Sequence, residues 1–246
     1  MTDEIRNIER ELLEDFGTLT FSTLEPEGKG LGCHPVKDEK DWELEKLLSS
    51  HKRALAKTEG REMWPNPIQL DQSAEGACVG FGWTGWANAR PRRHEFGDQH
   101  GFDVYNEAKK LDPWEGEDYS GTSVKAGALA MQARGHLENY AFTSNVNTLA
   151  AWVLNKGPAV IGVNWYTDMD RVDSSGYISV SGSLRGGHCV VIDGVDWGRA
   201  NVPDRFRIRN SWGPNWGFNG RCYICSEGLA RLFSESGNAF MAVEIA

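Results

Sequence analysis

The sequence predicts an α+β protein with a helical lobe followed by an antiparallel β-sheet lobe. Two observations carry this. Helical segments fill the chain as far as residue 156, and from Ala159 onward short β-rich runs follow one another, separated by turn residues. Helices first and strands second indicate α+β. The chain has 246 residues, 40% apolar and 11% aromatic, enough for one sizeable packed domain with or without an N-terminal extension.

Residues 3–16 and 41–57 read as amphipathic helices. Between them Glu25-Pro-Glu-Gly-Lys-Gly-Leu-Gly32 is a turn-rich linker. Residues 1–65 are therefore set apart as an N-terminal extension, and 66–246 as the main domain. A further helix starts at Cys78 and ends before Pro91, since proline lacks a backbone donor and restricts the residue before it. Gly80, Gly82 and Gly85 lower its intrinsic propensity, so packing must hold it. Helices are expected near 101–111, 122–134 and 147–156, the last stopped by Gly157-Pro158. Strands are expected over Ala159–Trp165, Cys189–Val195, Arg205–Arg209, Arg221–Ile224 and Phe240–Ile245.

Composition narrows the function. A net charge of −9 disfavours nucleic acid and anionic membranes as partners. The basic cluster Arg90-Pro-Arg-Arg-His94 reads as a solvated helix end. No apolar core follows a basic start and no run is long enough to span a bilayer, so neither a signal peptide nor a membrane segment is expected. Five cysteines form no paired framework, which suits a reducing compartment, and a cytoplasmic location is expected. Gly80-Phe-Gly-Trp-Thr-Gly85 spells a dinucleotide fingerprint but lacks the strand that must precede it. Cys222 and Cys225 have no second pair at ligand spacing, and no His-x-Glu string supports a zinc deaminase. No cofactor or metal is expected.

Cys78, His188 and Asn210 come in the order and setting that a thiol nucleophile needs, with Gln72 just upstream. A thiol is a poor nucleophile until it loses its proton, which an adjacent imidazole can take. An asparagine amide oxygen can hold that imidazole in one tautomer. The oxyanion formed on the attacked carbonyl needs fixed donors, and the Gln72 amide with the Cys78 N–H would supply two. A helix N-terminus at Cys78 favours the thiolate. Trp212 would shield the Asn210–His188 bond from water, unless it only packs. Tyr119–Val124 precedes a helix that Thr122 or Ser123 can cap.

These strings resemble the papain/cathepsin family of cysteine peptidases, as a short prokaryotic or viral-type member. Asn210-Ser-Trp-Gly-Pro-Asn-Trp-Gly217 matches the block around the family's catalytic Asn, and Gln72 with Cys78 keeps its spacing. The resemblance runs from about Gln72 to the C-terminus. It implies a two-lobed fold with the site in the cleft, and Cys78, His188, Asn210 and Gln72 in the roles above. It also implies that Tyr119–Val124 shapes the substrate cleft, the alternative to a simple helix cap. It implies hydrolysis of peptide or protein substrates through an acyl-enzyme, and an N-terminal extension that is either an inhibitory prosegment or an integral arm. Three positions depart from the pattern: Val79 stands where an aromatic is usual, Glu75 where a cysteine is usual, and Gly187 where a polar residue is common. The alternatives are a transferase or amidase on the same residues, or a silent binding protein that keeps the fold.

Overall fold

A computed structural model describes residues 3–22, 28–36, 57–89, 91 and 93–244. In chain order the elements are α1 (Asp3–Phe16), β1 (Gly60–Met63), α2 (Cys78–Asn88), α3 (Asp98–Lys109), α4 (Val124–Ala133), β2 (Leu137–Thr143) and α5 (Val146–Asn155). There follow β3 (Ala159–Tyr166), β4 (Leu184–Trp197), β5 (Arg205–Arg209), β6 (Arg221–Cys225), α6 (Ser226–Ser234) and β7 (Asn238–Glu244). The α+β architecture read from the sequence is the one observed. The helix expected over 41–57 lies outside the described residues, apart from Lys57. β4 starts earlier than expected because Gly186 and Gly187 continue its ladder, opposite Trp165 and Asn164 of β3. Three elements escape the sequence reading: β1, β2 and α6.

Among the described residues the strands form one antiparallel sheet in the order β2-β7-β3-β4-β5-β6, with β1 paired to the far end of β4. Helices α2, α3 and α4 form the helical lobe. α2 is buried along its whole length. Its glycines explain how: a Cβ at Gly80 would fall 2.2 Å from the Gly101 carbonyl on α3, and one at Gly82 would fall 2.7 Å from Cys189 Sγ on β4. Missing side chains let α2 press between α3 and the sheet, and the packing outweighs the propensity it loses.

β5 shows how the N-terminal residues are tied in. Alternation along Arg205-Phe-Arg-Ile-Arg209 sends Phe206 and Ile208 into the core and three buried arginines to the other face. Each arginine needs partners there. Arg207 and Arg209 donate to the two oxygens of Asp193 at 2.7 and 3.2 Å. Burial alone would raise the Asp193 carboxyl pKa, but Arg207 and Arg209 outweigh it and hold the group below its ordinary value. Arg207 also donates to the Asp15 carbonyl at 2.7 Å, and Arg205 pairs with Glu11 and Asp196. Beside them Leu12 and Phe16 of α1 enter the main core, Phe16 against Phe218 and Tyr223. Glu11, Asp15 and Asp196 gather closely enough to suggest a cation, but Arg61, Arg199 and Arg205 already neutralise them.

Candidate active site

Cys78 is the first residue of α2, where its helix meets β4. His188 lies on β4 opposite Val163 of β3, and Asn210 immediately follows β5. Hydrogen bonds link His188, Asn210 and, through Ser211, Gln72, while Cys78 heads the helix whose Gly82 and Gly85 pack on Cys189 and Val191 of β4. His188 Nε2 lies 2.8 Å from Asn210 Oδ1. Because that oxygen only accepts, Nε2 carries the proton and Nδ1 presents a lone pair. Nδ1 is buried and has no hydrogen-bond partner among the described residues. Cys189, the next residue along, shares a buried cluster with Cys78.

A second chain of bonds fixes the glutamine. Asn210 Oδ1 also accepts from the Ser211 N–H at 2.8 Å. The Ser211 hydroxyl donates to Gln72 Oε1 at 2.6 Å, which turns Gln72 Nε2 the other way. That nitrogen donates to the Glu75 carbonyl at 2.8 Å and to the Gly30 carbonyl at 3.1 Å. Ser211 was not singled out from the sequence, although it stands inside the Asn210-Ser-Trp-Gly string.

Aromatic rings wall the site. The Trp212 indole stacks on His188 with centroids 4.9 Å apart, and Trp165 meets the same ring edge-on at 4.8 Å. Trp165 was also missed. It is anchored by its indole N–H, which donates to Asp170 at 2.9 Å. Of the two readings of Tyr119–Val124, both describe what is seen: Ser123 caps α4 by accepting from the Ala126 N–H, and the backbone of Thr122 lines the cleft. Cys222 sits in the core and Cys225 caps α6, accepting from the Gly228 N–H, so the two serve different elements.

The cleft is filled by the chain itself. Residues 28–36 run through it as an extended strap. Gly32 and Cys33 N–H groups donate to the Gly187 carbonyl on one side, at 3.1 and 3.0 Å. On the other side His34 N–H donates to the Thr122 carbonyl and Thr122 N–H to the Gly32 carbonyl, both at 2.9 Å, while Gly30 N–H reaches Ser73. The Gly30 carbonyl takes the Gln72 amide and, at 3.3 Å, the Trp212 indole N–H. Lys29 ion-pairs with Asp71 at 2.5 Å. Gly187 now has a physical reason: a Cβ there would lie 1.9 Å from the Cys33 carbonyl.

Burial under the strap changes the electrostatics. Cys78 and His188 are fully inaccessible. Burial, with a smaller contribution from the neighbouring Cys33 thiol, pushes the Cys78 thiol well above its ordinary pKa, against the N–H groups of Cys189, Val79 and Cys78 itself. Burial lowers His188 to about 4, against the hydrogen bond it donates to Asn210. In the strapped state both groups are neutral, and desolvation outweighs the helix N-terminus that was expected to favour the thiolate.

Comparison with known proteins places these features. Residues 96–233 match the model of the papain family cysteine proteases, a span that includes His188 and Asn210. The chain is 32% identical over 81 residues to cathepsin B-like cysteine proteinase 3 of Ostertagia ostertagi, covering 33% of this chain and 45% of that one. The aligned part thus spans less than half of that relative. In three dimensions the chain resembles xylellain, a cysteine protease from Xylella fastidiosa, with 18% identity, a TM-score of 0.64 and coverage of 89% and 97%. It also resembles the digestive procathepsin L2 proteinase of Tenebrio molitor, with 16% identity, a TM-score of 0.57 and coverage of 99% and 94%.

Proposed function

We propose, from the premise that this chain belongs to the papain family of cysteine proteases, that it is a cysteine endopeptidase held shut by its own residues 28–36. The observation that carries the chemistry is the His188–Asn210 bond, which leaves Nδ1 as the unprotonated and unpartnered ring nitrogen. The strap is inhibitory in this reading, while α1 and β1 are integral to the fold, since one packs in the core and the other pairs with β4.

When the strap leaves, water enters and the cost of charge at Cys78 and His188 falls. The Cys78 proton moves to His188 Nδ1, giving a thiolate–imidazolium pair supported by the helix N-terminus. The thiolate attacks the peptide carbonyl of a protein substrate, and the oxygen that becomes negative is held by Gln72 Nε2 and the Cys78 N–H. His188 gives its proton to the leaving amine. The acyl-enzyme is then hydrolysed by water that His188 deprotonates, and the thiol returns. Asn210 keeps the imidazole aligned, Ser211 keeps Gln72 facing the oxyanion, and Trp212 excludes water from the His188–Asn210 bond.

The test is turnover of an internally quenched peptide by a strap-released chain, with Cys78→Ala as control. Cleavage that disappears in the variant, with fold retained, is expected. Equal cleavage by a folded Cys78→Ala chain overturns the assignment. Capture of an added amine in the product would indicate a transferase, and absence of any turnover from an opened cleft would indicate a silent relative.

A further inference from the structure

The strap brings a thiol into the cleft that peptide hydrolysis does not use. Cys33, Cys78 and Cys189 lie in one buried cluster. The Cys33 N–H is bound to Gly187, and its Sγ lies 2.9 Å from where a Cβ on Gly162 would be. Gly162 pairs across the sheet with Cys189, whose Sγ lies 2.7 Å from where a Cβ on Gly82 would be, one turn along α2 from Cys78. The strap thiol and the helix thiol therefore flank a single cross-strand pair, whose Cα atoms are separated by about 5 Å. A serine at position 33 would keep the strap's backbone bonds, so the hydrogen bonding does not call for sulfur there. Gly30 and Gly32 flank Leu31 and give the strap the backbone freedom to carry Cys33 toward Cys78, into the Cα separation a disulfide requires.

We propose that Cys33 and Cys78 form a redox latch, an intramolecular disulfide that ties the strap to the nucleophile and keeps the protease shut until it is reduced. This rests on Cys78 being the activated thiol proposed above. A low-molecular-weight disulfide is the oxidant. On a transient opening the Cys78 thiolate attacks one of its sulfurs and releases one small thiol. The Cys33 thiolate then attacks the Cys78 sulfur and releases the second. Two protein thiols are oxidised, the small disulfide is reduced to two thiols, and the two protein protons end on those thiols. Cys222, in the sheet core, and Cys225, capping α6, stand outside the cluster.

The full chain is reduced, incubated with glutathione disulfide, capped with an alkylating agent and mapped by mass spectrometry. The expected result is a Cys33–Cys78 cross-linked peptide, two fewer capped thiols than the five of the reduced chain, and recovery of all five with dithiothreitol. Cys33→Ser should stop at a glutathione adduct on Cys78, and Cys189→Ala should still cross-link. A Cys78–Cys189 bridge, a glutathione adduct persisting on Cys78 in the unsubstituted chain, or five capped thiols would overturn the latch. Mass mapping is independent of turnover. A chain that cleaves peptides once reduced and strap-released but never cross-links sinks the latch alone, and one that cross-links yet cleaves no peptide once reduced and strap-released sinks the peptidase.

Discussion

Replacing Gly32 by alanine should open the cleft. Gly32 has a φ of +147°, a region that side chains rarely adopt, and a Cβ there would fall 2.2 Å from the Gly76 carbonyl oxygen. The methyl would meet backbone, so the clash cannot be relieved by turning a neighbouring side chain. Backbone strain of this kind costs about 2 kcal/mol. The cost falls on the strapped state alone, because a released strap is free to relax. At about 1.4 kcal/mol per tenfold, the open fraction should rise roughly 30-fold. Closure is held by the backbone bonds of Gly30, Gly32, Cys33, His34 and Thr122, each contributing about 1 kcal/mol net. The variant therefore remains mostly closed, and its kcat/KM should rise by nearly the whole factor without reaching a plateau. The assay is kcat/KM on a small fluorogenic peptide amide, for the parent chain and Gly32→Ala at equal concentration. Gly32 touches none of the reacting groups, so intrinsic chemistry should not change. An unchanged kcat/KM, with Cys78 alkylated no faster than before, would refute the reasoning.

Three other outcomes are expected. Phe16→Ala should destabilise the fold by about 3–5 kcal/mol in urea unfolding, because the ring is 2% exposed and packs against Phe218 and Tyr223; a shift below about 1 kcal/mol would show that α1 is peripheral. Ser211→Ala frees the Gln72 amide and should lower the kcat/KM of an opened chain by roughly tenfold through kcat, in keeping with the loss of one hydrogen bond; a rise in KM alone would contradict a positioning role. Acid should favour opening in Cys78→Ala, where no thiolate can pair with His188 in the open state. Strapped His188 titrates near 4 against an ordinary value of 6.5, so the strapped state binds fewer protons than the open one between those values. Strap closure is then at full strength above about pH 6.5 and weakens as pH falls toward 4. Hydrogen exchange of the Gly32 and Cys33 amides in that variant, normalised to the intrinsic rate, should accelerate over that window, and a flat profile would contradict it.

The helix start at Cys78 was legible because proline and glycine punctuate the helices, and the His188–Asn210 bond because an imidazole N–H needs a fixed acceptor of that type. The polar strand Gly60-Arg-Glu-Met63 was not legible. Its register comes from β4, not from any β-branched run of its own. Leu137-Glu-Asn-Tyr-Ala-Phe-Thr143 hides its alternation behind a register shift between Leu137 and Asn139. In α6 the Leu229, Leu232 and Phe233 stripe stands at helical spacing, but the helix is only nine residues long and is capped by Cys225 in place of a usual Ser, Thr, Asp or Asn. The strap could not be read at all. Its glycines look like a linker, and only their close approach to Glu75, Gly76 and Gly187 shows that they fit a slot. For the same reason the pKa directions at Cys78 and His188 were invisible, since they depend on what covers the pair.

The most direct test of a strapped thiol protease is intact-mass analysis after a peptide vinyl sulfone is added to the Gly32→Ala chain, with Gly32→Ala/Cys78→Ala as control. One adduct, mapped to Cys78, absent from the control and formed faster than on the parent chain, is the predicted result. An opened chain that takes no adduct, or takes it on another cysteine, would contradict the assignment of Cys78 as the activated thiol.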